Sequence, residues 1–227
     1  MQDASEGKPA PVKKSFGATP EIHDWAQHIF VENRFGLEHV GYASFELPPG
    51  YRCARPFKLQ VYTLKSSAGL VFYTTNVPYF EVLRNEEGEV KEILQKGELD
   101  GVFYRGDSPT SLFEFYLICG NLIYGDYGLA REAYNRGNLS VIEFKTNGRS
   151  GKAKKQLSRF ETCLNLSTPD ALFYVGVERQ GYAIRPLLDL NPTSRSVRLS
   201  PETFDARILQ GKRAYSLPTS QEPASAP

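Results

Sequence analysis

One change of periodicity constrains the fold more than any other feature of the chain. NLSVIEFKTN, residues 138–147, reads as a β-strand, because its side chains alternate with period two. SGKAKKQLSRFETCLNL follows, in which Ala153, Leu157, Phe160 and Leu164 recur at spacings of four, three and four, the stripe of a helix packed on one face. After the break at Ser167, Thr168, Pro169 and Asp170, ALFYVGVER is apolar enough for a buried strand. The unit is strand, helix, strand.

Upstream, Thr19 is placed to cap a helix, with Pro20 at its first position and Glu21 at its positive end. Ile22, Trp25, Ala26, Ile29 and Phe30 follow helical spacing, and Gly36 ends the element. Residues 40–106 read as strands: FKLQVYTL, GLVFYTT, a hairpin of YFEVLR and VKEIL around the acidic turn NEEGE, then GELDGVFYR. YAIRPLLDL is the expected hairpin partner of ALFYVGVER, and a short polar element runs on to about residue 216. The order predicts a mixed sheet with helices packed on it, an α/β or α+β domain. Residues 108–137 read as an insertion between two core strands, with a short helix in GLAREAYNRG. Its aromatic content fits a packed flap, a dimer surface or an added strand. The expected organisation is one domain over 19–216, with low-complexity, disordered tails at 1–18 and 217–227.

The net charge of +1 gives no global basic field, so a nucleic-acid contact has to come from a local patch. Cys53, Cys119 and Cys163 form no C-x-x-C pair, which argues for free thiols in a reducing intracellular setting, cytoplasmic or at the nucleus or nucleoid. No apolar run is long enough to span a bilayer, and the N-terminus lacks the apolar stretch of a signal peptide.

The chemistry is concentrated in two strands. Glu98 and Asp100 share one face of GELDGVFY, and Glu143 and Lys145 share one face of VIEFKTN. Buried carboxylates are expensive unless paired, hydrogen-bonded or bound to a metal. Side by side in one sheet, the two strands bring these residues to one end. Asp100 and Glu143 then supply the core oxygen ligands of a hard cation such as Mg2+ or Mn2+, the Phe144 carbonyl adds a third, and Glu98 fits a second position. Such an ion activates water and polarises a phosphate, while Lys145 orients the water and offsets developing negative charge. Arg149, Lys152, Lys154, Lys155 and Arg159 cluster around the following helix, where they suit phosphate contacts, and Gln156 is placed to reach the metal water or a phosphate.

This pattern resembles the PD-(D/E)xK nuclease superfamily, the restriction-endonuclease-like fold. There an acidic strand end precedes an E-x-K strand, a helix often carrying Gln, and a final strand. Asp100 matches the acid, Glu143, Phe144 and Lys145 match E-x-K, and Gln156 matches the Gln. KQLSRFETCL is similar to the Q-L-x-R-Y-like helix of RecB-like and archaeal mismatch-type endonucleases, and GELDG with EFK is similar to the pairing in decapping exonucleases. The resemblance implies a mixed central sheet flanked by helices and a Mg2+- or Mn2+-dependent nuclease acting on DNA or RNA, endo or exo. It leaves homodimerisation open. It also implies a first acidic residue on the opening helix, Glu32 or Glu21. Two features depart from the family: Leu99 rather than Pro precedes Asp100, and the gap to Glu143 is long. The alternative reading is a nuclease-fold binding or structural subunit without catalysis. His23, His28 and His39 show no ligand spacing, Trp25 fits the core, and Tyr62, Tyr73 and Tyr79 are candidates for stacking on bases.

Overall fold

The computed structural model describes residues 20–46, 57–67, 70–146, 150–166, 171–178, 181–186 and 199–211. Arg149, Cys53, both expected tails and the break at 167–170 lie outside the described residues, as do the side chains of Glu21, Ile22, His23, Trp25 and Ala26. The order is α1 (Pro20–Phe35), β1 (Leu37–Phe45), β2 (Phe57–Leu64), β3 (Leu70–Arg84), β4 (Val90–Gly106), α2 (Ser111–Ile123), α3 (Gly128–Arg136), β5 (Leu139–Thr146), α4 (Ser150–Leu164), β6 (Leu172–Glu178), β7 (Gly181–Pro186) and α5 (Pro201–Gln210).

The strands form one seven-stranded sheet in sequence order. Every neighbouring pair is antiparallel except β5 and β6, which run parallel because α4 carries the chain back between them. It is the mixed α/β sheet flanked by helices that the periodicity predicts. Alternation sorts the two faces. Phe103 of β4, Phe144 of β5 and Phe173 of β6 point at α1 and α5, where they meet Phe35, Phe30 and Phe204. Tyr104 and Phe72 stack instead on Phe115 of α2. On that second face α3 joins the layer to α4, with the Arg131 Nε donating to the Leu164 carbonyl at 2.6 Å. Gly36 ends α1 in the left-handed conformation (φ 63°), as expected of a residue without Cβ at that place.

Two outcomes differ from the expectation. First, 108–137 adds no strand: SLFEFYLICGNLI is α2, apolar on most of its circumference, and a run of that kind has no period to tell helix from strand. Second, GLVFYTT and YFEVLR are one strand, β3, and VKEIL and GELDGVFYR are one strand, β4. The β2–β3 ladder ends at Tyr73 and the β4–β5 ladder ends at Gly101, so beyond those points β3 and β4 run on together as a two-stranded ribbon. Pro78 is tolerated there, because a ribbon leaves one strand edge unpaired. The short polar closing element is a helix, α5, whose N-cap Ser200 accepts the Thr203 N–H at 3.2 Å ahead of Pro201. Among the described residues no helix is long and apolar enough to cross a membrane.

Candidate active site

The carboxylates meet where β4 and β5 part. The ladder runs Tyr104–Leu139, Phe103–Ser140, Val102–Val141 and Gly101–Ile142, and one step further lies Asp100 beside Glu143. Gly101 makes the approach possible, since a Cβ there would sit 2.5 Å from Ile142 Cγ1. With the ladder ended, the Phe144 N–H has lost its backbone partner and donates instead to Asp100 Oδ2 at 2.7 Å. Both side chains face the α2–α3–α4 layer, while Phe144 turns its ring to Phe30 on the other side at 5.1 Å between centroids.

Lys145 sits on the same face as Glu143, two residues on. Its Nζ donates to Glu143 Oε1, to the Phe144 carbonyl at 2.8 Å and to Asp100 Oδ2 at 3.3 Å. Three oxygens from three residues thus converge on one ammonium. The setting is dry: Glu143 is 0% and Asp100 5% exposed. Glu143 Oε2 is buried with no hydrogen-bond partner. Burial first, then the Asp100 carboxylate, raise the Glu143 pKa well above the ordinary glutamate value, and Lys145 only partly opposes them. Fully ionised, the two carboxylates exceed the one lysine by one negative charge; burial and this excess are why Glu143 holds a proton more tightly than a free glutamate.

This donor set fits a hard cation. Mg2+ and Mn2+ take carboxylates, carbonyls and waters, and Asp100, Glu143 and the Phe144 carbonyl offer the first two kinds. Glu143 Oε2 is buried without a geometric hydrogen-bond partner, and the Asp100 carboxylate lies close enough for the two side chains to share a proton. Among the described residues no group of three or more His, Cys, Asp or Glu side chains is placed to hold a metal.

The other expected residues are placed as follows. Glu98, two residues before Asp100 on β4, is exposed. Gln156 is half-buried on α4, and none of the hydrogen bonds among the described residues joins it to the carboxylates. It shares a helix face with Lys152 and Arg159, at spacings of four and three. Lys152, Lys155 and Arg159 are exposed and Lys154 half-buried, while Ala153, Leu157, Phe160 and Leu164 are buried as the stripe requires. Glu32 is not brought to the carboxylates: α1 covers the opposite face, and Glu32 Oε2 accepts the Leu37 N–H at 2.9 Å, closing the turn into β1. Tyr73 and Tyr79 are buried and present no ring to a base, and Tyr62 is half-buried among His28, His39 and Tyr73. Cys119 is buried and Cys163 half-buried, both as free thiols.

Sequence reasoning missed Asn76. Phe72 and Tyr79 are an odd number of residues apart, so strict alternation would put them on opposite faces. Both lie against the same helical layer, Phe72 on Phe115 of α2 and Tyr79 on Phe160 of α4. Between them, and between the pairs Thr75–Gly101 and Val77–Leu99, Asn76 takes φ 55° and reverses the alternation beside Asp100. Asn is the residue that bears this conformation at least cost after Gly, and it is the one signal the sequence offered.

Comparison of the chain with protein-family models, with curated proteins and with solved structures finds no match.

Proposed function

We propose that the protein is a metal-dependent nuclease that hydrolyses phosphodiester bonds in DNA or RNA, of the PD-(D/E)xK kind. The observation that supports this reading best is the convergence of Asp100, Glu143 and the Phe144 carbonyl on one ammonium, with Glu143 Oε2 left buried and unpartnered. Two further features agree with it. The strands bearing the acid and the E-x-K segment are neighbours despite the long gap, and α4 follows directly with its basic face. Lys152 lies in the first turn of α4, its positive end, where an exposed cation is unfavourable. An anion brought to that end reverses the cost.

Asp100, Glu143 and the Phe144 carbonyl would hold Mg2+ or Mn2+. When bound, the ion lowers the pKa of a water nucleophile and polarises the phosphate. The protein's own groups do the rest. The Phe144 N–H fixes the Asp100 carboxylate, and the end of the β4–β5 ladder brings the two buried carboxylates side by side. Lys145, whose Nζ lies within reach of both carboxylates, would orient the water and balance the charge that develops on the phosphate. Lys152, Lys155 and Arg159 bind the backbone of the strand.

The test is cleavage of mixed labelled DNA and RNA with Mg2+ or Mn2+, by the wild-type protein and by Asp100→Asn. The proposal expects metal-dependent cleavage that the substitution removes. Binding of nucleic acid without cleavage by either protein would contradict it and favour a non-catalytic subunit.

A further inference from the structure

Two neighbouring strands lose their regularity at one level of the sheet, and a pocket opens there. In β3, Asn76 reverses the alternation and so delivers Tyr79 and Glu81 to the α4 face. In β4, Tyr79 pairs with Gly97 and Phe80 with Gln95, which leaves Lys96 as the extra residue of a bulge. Bulges and left-handed residues cost stability and are kept where they aim a side chain. Gly97 belongs to the same arrangement: a Cβ there would lie 2.7 Å from the Tyr79 hydroxyl. The pocket has a volume of about 360 Å3 and is lined by Glu81, Lys96, Tyr127, Arg159, Thr162 and Cys163. That is the lower end of the range of small-ligand sites, room for a phosphate and the group attached to it.

Its polar groups are held in place. Lys96 Nζ bonds Glu81 Oε2 at 2.7 Å, and Arg159 Nη1 donates to the Lys96 carbonyl at 2.7 Å. The bulge therefore fixes the guanidinium through its backbone and presents the ammonium through its side chain. The hydroxyls of Tyr127 and Thr162 donate elsewhere, to the Phe80 and Ser158 carbonyls, so recognition falls to the two cations. Lysine and arginine against one glutamate leave the pocket with a net charge of +1. An arginine fork beside a lysine point charge suits a phosphate.

The pocket adjoins the carboxylates. Lys96 precedes Asp100 by four residues on β4, about 13 Å of strand at 3.3 Å per residue. Tyr79 lies between the two places: its hydroxyl, whose pKa burial raises, is within electrostatic reach of both Arg159 and Glu143. A strand drawn across this face reaches the pocket within a few nucleotides of the carboxylates. We infer that the pocket is a phosphate subsite, in which Lys96 and Arg159 take a phosphate flanking the one presented to Asp100 and Glu143. The strand's identity rests on the nuclease reading; the binding of phosphate does not.

Cys163 lines the pocket and reports on it. The experiment is alkylation of the metal-free full chain by iodoacetamide, resolved at Cys163 by peptide mass, against rising inorganic phosphate. Phosphate is expected to slow alkylation saturably in the wild type and in Asp100→Asn. Lys96→Gln should abolish the protection. Glu81→Gln should lower the half-protecting phosphate concentration roughly fivefold, because it removes the one negative charge of the pocket. A glutamate that mattered only as a tether would give the opposite sign. No protection of the wild type, or protection unchanged by Lys96→Gln with an unaltered melting temperature, overturns the subsite. Short oligonucleotides with a 5′-phosphate or a 5′-hydroxyl then identify the source. Protection by the phosphorylated form alone marks a terminal phosphate, equal protection marks an internal one, and protection by neither, with inorganic phosphate still protecting, overturns the link to a nucleic-acid strand. In that last case cleavage by the wild type would still stand or fall by its own assay.

Discussion

Two carboxylate–cation arrangements in this molecule look alike as ion pairs and differ in what they leave over. Arg34 of α1 meets Asp205 of α5 through two hydrogen bonds, 2.5 and 3.0 Å, with the guanidinium over the rings of Phe30 and Phe204. The pair joins two helices that cover the same face. Lys145 meets two carboxylates and a carbonyl, in a drier place, and Glu143 Oε2 still lacks a partner. The first arrangement is complete as it stands. The second gathers more acceptors than its one ammonium serves and is held together at a cost, the feature on which the proposed metal site rests.

Breaking the two in parallel separates structure from chemistry. Asp100→Asn or Glu143→Gln is expected to lower Mn2+-dependent cleavage by at least about a hundredfold, while Asp205→Asn leaves it within a factor of about two, both read as initial rates on one labelled substrate. The next largest effect is on stability. Lys145→Ala strands two buried carboxylates and should cost about 3 kcal/mol in urea titration of the metal-free protein.

Glu143→Gln should act the other way and stabilise the metal-free protein by about 1 kcal/mol near neutrality, because it removes a buried charge beside Asp100. The pH dependence has a definite sign. The folded state holds the Glu143 proton to higher pH than the unfolded state does, since its pKa is raised above the ordinary 4.5. The wild type therefore carries no penalty from this group below pH 4.5 and loses stability as pH rises from there through the raised value. The advantage of Glu143→Gln should vanish in acid and grow across that window, measured as the difference in melting temperature. An advantage independent of pH would contradict the assignment. The smallest effect belongs to the matched pair: Arg34 and Asp205 are 21% and 33% exposed, so Arg34→Ala should cost no more than about 1 kcal/mol from the lost ion pair.

The same contrast explains what the sequence disclosed. Charges at alternate positions of apolar strands, Asp100 in GELDGVFY and Glu143 and Lys145 in VIEFKTN, are conspicuous because period two by itself assigns them a face. The α4 stripe and the stop at Gly36 are legible for like reasons, as local chemistry with local consequences. What stays hidden depends on distant partners. Family likeness puts Glu32 at the site, but the nearest unsatisfied donor is the Leu37 amide, and which face α1 covers is decided by Phe30 finding Phe144. The reversal at Asn76 and the bulge at Lys96 shift the alternation on which strand reading relies, so the pocket they build cannot be read from period two. Helix α5 is marked by Ser200 and Pro201, yet its shortness and polarity mask it.

The most direct test of the central claim is the melting temperature of the full chain during a Mn2+ titration, wild type beside Asp100→Asn. Binding to the folded state alone raises stability by RT ln(1 + [Mn2+]/Kd), so the wild type should climb and keep climbing with log concentration once Mn2+ exceeds Kd, while Asp100→Asn stays flat. A wild type that does not shift, or a shift equal in both proteins, would contradict a metal centre at Asp100 and Glu143.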